Sequence, residues 1–116
     1  NSEVYFVDIN VEESNKLISD IKNKNFKSPT FFECDLLNIK QLQGTISKII
    51  SDKGPINILI NNAANDERHA IDDVTEEYWN ERMNINLRHY FFTVQSVKKA
   101  MIKNKGGAIV NIGSAS

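Results

Sequence analysis

Four short apolar runs in this chain of 116 residues end on small or polar groups. Val4-Tyr5-Phe6-Val7 ends on Asp8, and Phe31-Phe32 leads into Cys34-Asp35-Leu36. Ile56 to Ile60 opens into Asn61-Asn62-Ala63-Ala64, and Ala108 to Ile112 closes on Gly113-Ser114. A carboxylate in such a place can accept hydrogen bonds from the hydroxyls of a ribose. A fifth polar group, Asn86, interrupts an apolar helical stripe. An amide left unsatisfied there would cost about 1–3 kcal/mol, so it must have partners. Pinning a neighbouring strand and serving a site are both open to it.

The elements that position these groups can be read from periodicity and punctuation. Glu3 to Ile9 and Thr30 to Glu33 read as strands. Asn10 with Glu13, and Asn38 with Gln41, have capping-box spacing, each side chain of the pair reaching toward the other's backbone. Leu17, Ile18 and Ile21 give the first helix its stripe, and Ile39, Leu42, Ile46, Ile49 and Ile50 the second. Gly54-Pro55 stops the second helix. Ile56 to Ile60 is apolar throughout, which predicts burial on both faces. One long helix is expected from about Thr75 to Asn104, with Trp79, Met83, Asn86, Tyr90, Val94, Val97 and Met101 as its inward stripe. Gly106-Gly107 ends it before the last strand.

The order β-α-β-α-β-α-β points to an α/β fold, a doubly wound parallel sheet with helices on both faces. Ligands of such sheets bind beyond the carboxyl ends of the strands, where the polar groups above stand. Asp8 then has two readings: an acid at the start of a helix, or the acceptor for a dinucleotide's ribose. In the second role it would repel a 2′-phosphate and favour NAD over NADP. Asp35 and Ser114 each read as a cap or turn residue or as part of a site; Ser114 shares its edge with Asn62. No Gly-x-Gly-x-x-Gly turn is present to hold a pyrophosphate.

Composition narrows the classes further. Hydrophobic residues make up 41% and charged residues 25%, ordinary globular usage that excludes disorder. A net charge of -1 offers no field for nucleic acid or an anionic membrane. No apolar run approaches a membrane span. The lone Cys34 excludes an internal disulfide, suits a reducing, cytoplasmic setting, and is expected to fill core space. His69 and His89 lack ligand-spaced partners, so no metal site is expected and both are read as solvated.

Assembled, these residues resemble the short-chain dehydrogenase/reductase family across essentially the whole chain. Asn61-Asn62-Ala63-Ala64 is similar to its Asn-Asn-Ala-Gly motif, and Asn86-Leu87 to its helical Asn-Leu pair. Ile109-Val110-Asn111-Ile112-Gly113-Ser114 is similar to the strand ending in its catalytic Ser. Asp35-Leu36 resembles its adenine-contacting pair, and Asp8 its NAD-selecting acid. The resemblance implies strands two to five of the family fold, an incomplete NAD(P)-binding Rossmann domain over residues 1–116. The family's first strand with its glycine-rich turn would precede Asn1, and its Tyr-x-x-x-Lys would follow Ser116.

By the same resemblance, Ser114 would orient the reacting oxygen and Asn86 would hold a water. Asp8, Asp35, Leu36, Asn62, Ala63 and Ala64 would meet the cofactor. Ala64 stands where the family usually has Gly, which is tolerable if its φ is negative. The polar loop Ala64-Asn65-Asp66-Glu67-Arg68-His69, with Asn86-Leu87-Arg88-His89, is similar to the aldose (pentose) 1-dehydrogenase branch. Asn65, Arg68 and His69 would then meet a sugar or other polyol. A homo-oligomer, dimer or tetramer, is implied, with Phe91 or Phe92 at its interface. The alternatives are an NADP-dependent 3-oxoacyl reductase of the same family and a truncated, non-catalytic nucleotide-binding or interaction module.

Overall fold

The computed structural model describes residues 2–114. They form two compact units whose boundary falls between Thr45 and Ile46.

The first unit holds β1 (Tyr5–Asp8), α1 (Val11–Asn23), β2 (Thr30–Glu33) and the start of α2 (Ile39–Lys53). β1 and β2 pair in parallel, from Tyr5 opposite Thr30 to Asp8 opposite Glu33. One further bond, from Cys34 N–H to the Asp8 carbonyl at 3.0 Å, carries the pairing past the strand ends. Asn10 caps α1 by accepting from Glu13 N–H at 3.1 Å. The return half of the expected box comes from elsewhere: the Asp8 carboxylate accepts the Asn10 N–H at 2.8 Å. α2 departs from the box in the same way. Asn38 accepts from Gln41 N–H, but the Gln41 side chain takes the N–H of Asp35 rather than that of Asn38, both at 3.0 Å. The longer reach satisfies a donor of the turn before the helix instead of one at its cap. Cys34, Leu36 and Leu42 are buried here, and burial pushes the Cys34 thiol pKa up, which fits a core filler.

The second unit holds the remainder of α2, β3 (Ile58–Asn61), a 3₁₀ turn (Ile71–Asp73), α3 (Glu76–Met83), a π-helical segment (Asn84–Arg88), α4 (His89–Lys103) and β4 (Ala108–Asn111). β3 and β4 pair in parallel, from Ile58 opposite Ala108 to Asn61 opposite Asn111. Gly54, at φ +93°, takes a conformation other residues resist, and its N–H closes α2 on the Ile50 carbonyl. Ile46, Ile49, Val97 and Met101 form the core.

Two expectations from the sequence are corrected. The long helix spans the expected residues, but a π segment interrupts it at Asn86. A π turn holds an extra residue, so the face before it is rotated relative to the face after it. Beyond the π segment the buried positions are His89, Thr93, Val97 and Met101, four residues apart. Before it, Trp79 and Met83 are exposed. β3 is also not buried on both faces. Leu59 and Asn61 turn inward, while Ile58 and Ile60, on the alternate face, are each 61% exposed.

Among the described residues every strand is an edge strand, since both sheets have two strands. Isolated strand pairs of this kind are marginal and invite re-pairing. The 116-residue chain expressed alone is therefore expected to melt broadly and to bind a hydrophobic dye; a sharp, cooperative calorimetric transition would contradict this.

Candidate functional site

The first unit brings Asp8 and Asp35 to one sheet edge, because Cys34 N–H pairs with the Asp8 carbonyl. Both acids shape the backbone locally. Asp8 starts α1, and Asp35 closes a turn by accepting Leu37 N–H at 2.8 Å. The second reading of each stays open, since a carboxylate has about four lone-pair sites and one local bond leaves acceptor capacity. Asp8 is exposed, Asp35 half-buried and Leu36 buried.

The second unit builds a more elaborate arrangement around Asn61, which is 3% exposed. Its amide donates to the Asn111 side-chain carbonyl at 2.8 Å, joining the last residues of β3 and β4. Its oxygen accepts from the Thr93 hydroxyl at 2.7 Å. Ile112 N–H continues the strand pairing to the Asn61 carbonyl at 2.9 Å, and Tyr90 OH donates to the Ile112 carbonyl at 2.9 Å. Ser114 lies two residues further on, exposed, on the edge that also carries Asn62.

The loop after β3 runs back along the helix. His89 Nε2 is 3.0 Å from the Ala63 carbonyl. The Asn86 side chain grips Asn65 at both ends, accepting its N–H at 2.7 Å and donating to its carbonyl at 3.1 Å. Tyr78 OH donates to the Glu67 carbonyl at 2.8 Å, and the Tyr78 ring stacks on His69 at 3.9 Å. Positions 61, 63, 65, 67 and 69 are thus held by residues 93, 89, 86 and 78 in descending order. Residues 61, 63 and 65 meet successive turns at 93, 89 and 86, and residues 67 and 69 share Tyr78, about two turns earlier. The loop is fastened along the helix and runs against its direction.

This placement answers the readings made for each residue. Asn86 has the partners that its position demanded: it pins a loop rather than a strand. The Asn65 backbone and the His69 ring meet the helix while both residues stay exposed, and Arg68 and Asp66 pair at 3.8 Å with side chains 78% and 90% exposed. Ala64 avoids left-handed strain, because the non-glycine residues with positive φ among those described are Asn25 and Lys105. The expectation for His89 is corrected. It is 2% exposed rather than solvated, and burial pushes its pKa down against the opposing hydrogen bonds to the Ala63 and Ile85 carbonyls. Sequence periodicity placed it on a flank because the π turn is invisible there. Asn61 and Asn111 stand in the motifs read from the sequence but without a role of their own, and Thr93 goes unread; the signal is there, as Asn61 and Asn111 each end an apolar strand and Thr93 lies two turns beyond Asn86.

No group of three or more residues able to hold a metal occurs among the described residues, nor any helix long and apolar enough to cross a membrane.

Comparison with known proteins fits this geometry. Residues 1–116 match the family described as short chain dehydrogenase. The chain belongs to that family. Its curated relatives include the D-xylose 1-dehydrogenase of Caulobacter vibrioides, 41% identical over 115 residues, 99% of this chain and 44% of the relative. The "Probable galactose dehydrogenase" of Rhizobium meliloti is 39% identical over 111 residues, 96% of this chain and 43% of the relative. Among solved structures, a gluconate 5-dehydrogenase from Burkholderia cenocepacia in complex with NADP and tartrate superposes with a TM-score of 0.83 at 27% identity, over 98% of this chain and 44% of that one. The chain therefore spans less than half the length of these relatives, and its two strand pairs are part of their Rossmann fold.

Two outcomes follow from the network. Replacing Thr93 with Val leaves the buried Asn61 oxygen without its donor, so chemical denaturation should show a loss of about 1–3 kcal/mol in the complete protein. For His89 the folded-state pKa lies below the ordinary histidine value of about 6.5, so the unfolded chain binds the extra proton first. Its contribution is full above about pH 6.5 and is lost as pH falls from there through the folded-state value. Denaturation midpoints measured from pH 8 to 5 should fall in the parent, and His89→Gln should flatten the fall.

Proposed function

We propose that the complete protein transfers a hydride between NAD and one carbon of a sugar or related polyol. The observation that carries this reading is the joining of the β3 and β4 ends by Asn61, Asn111 and Thr93. That network joins the strand ends that lead into Ala63-Ala64 and into Ser114, which supports a common edge for them with the polar loop following. The aldose names of two relatives near 40% identity support the substrate class.

The residues present suit a dinucleotide. Asp8 and Asp35 retain acceptor capacity at one edge, and Ala64 is unstrained at its contact position. Asp8 would accept from the adenosine ribose and repel a 2′-phosphate, which favours NAD; Asp35-Leu36 would meet the adenine, and Asn62, Ala63 and Ala64 would line the remainder. When bound, the nicotinamide accepts or donates the hydride. Ser114 would donate a hydrogen bond to the reacting oxygen and orient it. Asn86, its side chain engaged with Asn65, would hold a water from within the π segment, a kind of distortion frequent at functional sites. The tyrosine and lysine that the family uses for proton transfer would come from beyond Ser116. Asn65, Arg68 and His69 would meet the polyol. In an oligomer, the exposed Trp79, Met83, Leu87 and Phe91 would supply apolar contact area; Phe91, 64% exposed, is the better candidate than the half-buried Phe92.

Steady-state assays of the complete protein with D-xylose, D-galactose and a 3-oxoacyl thioester, each with NAD(H) and NADP(H), test this. Aldose oxidation with NAD is expected, with Ser114→Ala lowering kcat about 10²-fold, as loss of a donor to a reacting oxygen does. Asp8→Ala should narrow the preference for NAD over NADP. Turnover confined to the thioester and NADPH would replace the sugar reading by that of an oxoacyl reductase, and no turnover at all would favour a non-catalytic module.

A further inference from the structure

The contacts of Tyr78 go beyond what the family motifs require. Its backbone N–H is taken by the Thr75 cap at 3.2 Å, so the residue sits in the first turn of α3. Its hydroxyl donates to the Glu67 carbonyl at 2.8 Å, and its ring stacks on His69 with centroids 3.9 Å apart. Arg82, one turn on, places its guanidinium carbon 5.2 Å from the centre of the same ring. The Arg82 side chain is only 14% exposed; it donates to Glu81 at 2.8 Å and lies 3.5 Å from the Glu67 carboxylate. Its Nε and Nη1 are buried with no hydrogen-bond partner. A guanidinium in that state is costly unless a facing charge and an aromatic face compensate it, and here Glu67 and Tyr78 do so. The loop is thereby held to α3 at 67 and 69 and to the π segment at 65, where Glu67 N–H also donates to Asn65 Oδ1 at 2.9 Å.

We propose that Tyr78 is a positioning residue for the polyol: by holding Glu67 and His69 it fixes the shape of residues 65–69, and with it where Asn65, Arg68 and His69 stand. The proposal rests on the sugar-oxidising reading above. Asn65 is held through its backbone and His69 through its ring face, so both stand with Arg68 on a loop whose shape Tyr78 sets, and sugar preference is set by an α3 side chain outside the motifs. The positions that would meet the cofactor, 62–64, lie at the other end of the loop, where His89 rather than Tyr78 holds the Ala63 carbonyl.

The test uses the complete protein, Tyr78→Phe and Tyr78→Ala, with D-xylose and D-galactose as probes and NAD as acceptor. Tyr78→Phe keeps the ring and removes one hydrogen bond, so KM for the sugar should rise about 5-fold. Tyr78→Ala also removes the stack and the cation–π contact, so the rise should reach about 30-fold. KM for NAD and kcat should stay within about 2-fold in both, a split that general loss of structure would not produce. An unchanged sugar KM, or equal losses in sugar KM, NAD KM and kcat, would overturn the proposal. If the parent oxidises neither sugar, the sugar reading fails by itself, and hydrogen exchange at residues 65–69 decides the clasp. Faster exchange in both variants retains it; exchange equal to the parent's overturns it.

Discussion

A buried amide governs the second unit. Asn61 ends β3 with its side chain out of water, and an amide so placed must find partners for both ends. Asn111 and Thr93 supply them, one from the neighbouring strand and one from α4. These two bonds fix the register of α4 against the strand ends. With that register set, the residues one and two turns earlier have nowhere else to act. Tyr90 meets the Ile112 carbonyl, His89 the Ala63 carbonyl and Asn86 the backbone of Asn65. A single polar requirement thus propagates into the shape of a loop.

The π segment makes this propagation possible. Apolar spacing alone would turn Trp79 and Met83 onto the face that buries Val97 and Met101. The extra residue at 84–88 rotates the upstream turns, so α3 presents Tyr78 and Arg82 to the loop and leaves Trp79 exposed. His89 and Asn86, three residues apart around the distortion, can then reach loop positions two residues apart.

In the first unit the same economy appears as double use. Asp8 starts α1 and Asp35 closes the turn before α2, yet each also stands at the carboxyl edge of its strand. The local role holds each carboxylate in place while leaving lone pairs for another donor. A helix-starting acid and a ribose acceptor are therefore compatible descriptions of one residue.

The sequence by itself determined the elements and their order. The parallel α/β class, the strand over Thr30–Glu33 and the polar strand ends follow from local patterns: apolar runs, cap residues and glycine stops act within a few residues of chain. The motif order was equally legible, which is why membership of the short-chain dehydrogenases could be anticipated and then found over residues 1–116. The tertiary structure alone decided which polar groups are spent and which remain. Nothing local separates a solvated His89 from a buried one; the difference arises when a loop lies along a helix whose phase a π turn has shifted. Burial of strand faces was likewise undecided, because an apolar run records what a strand can bury and not whether a neighbour is there to cover Ile58 and Ile60. Hydrogen-bond satisfaction is a property of pairs brought together from distant parts of the chain, so Asn61, Thr93 and Asn111 acquire their meaning only in the folded state.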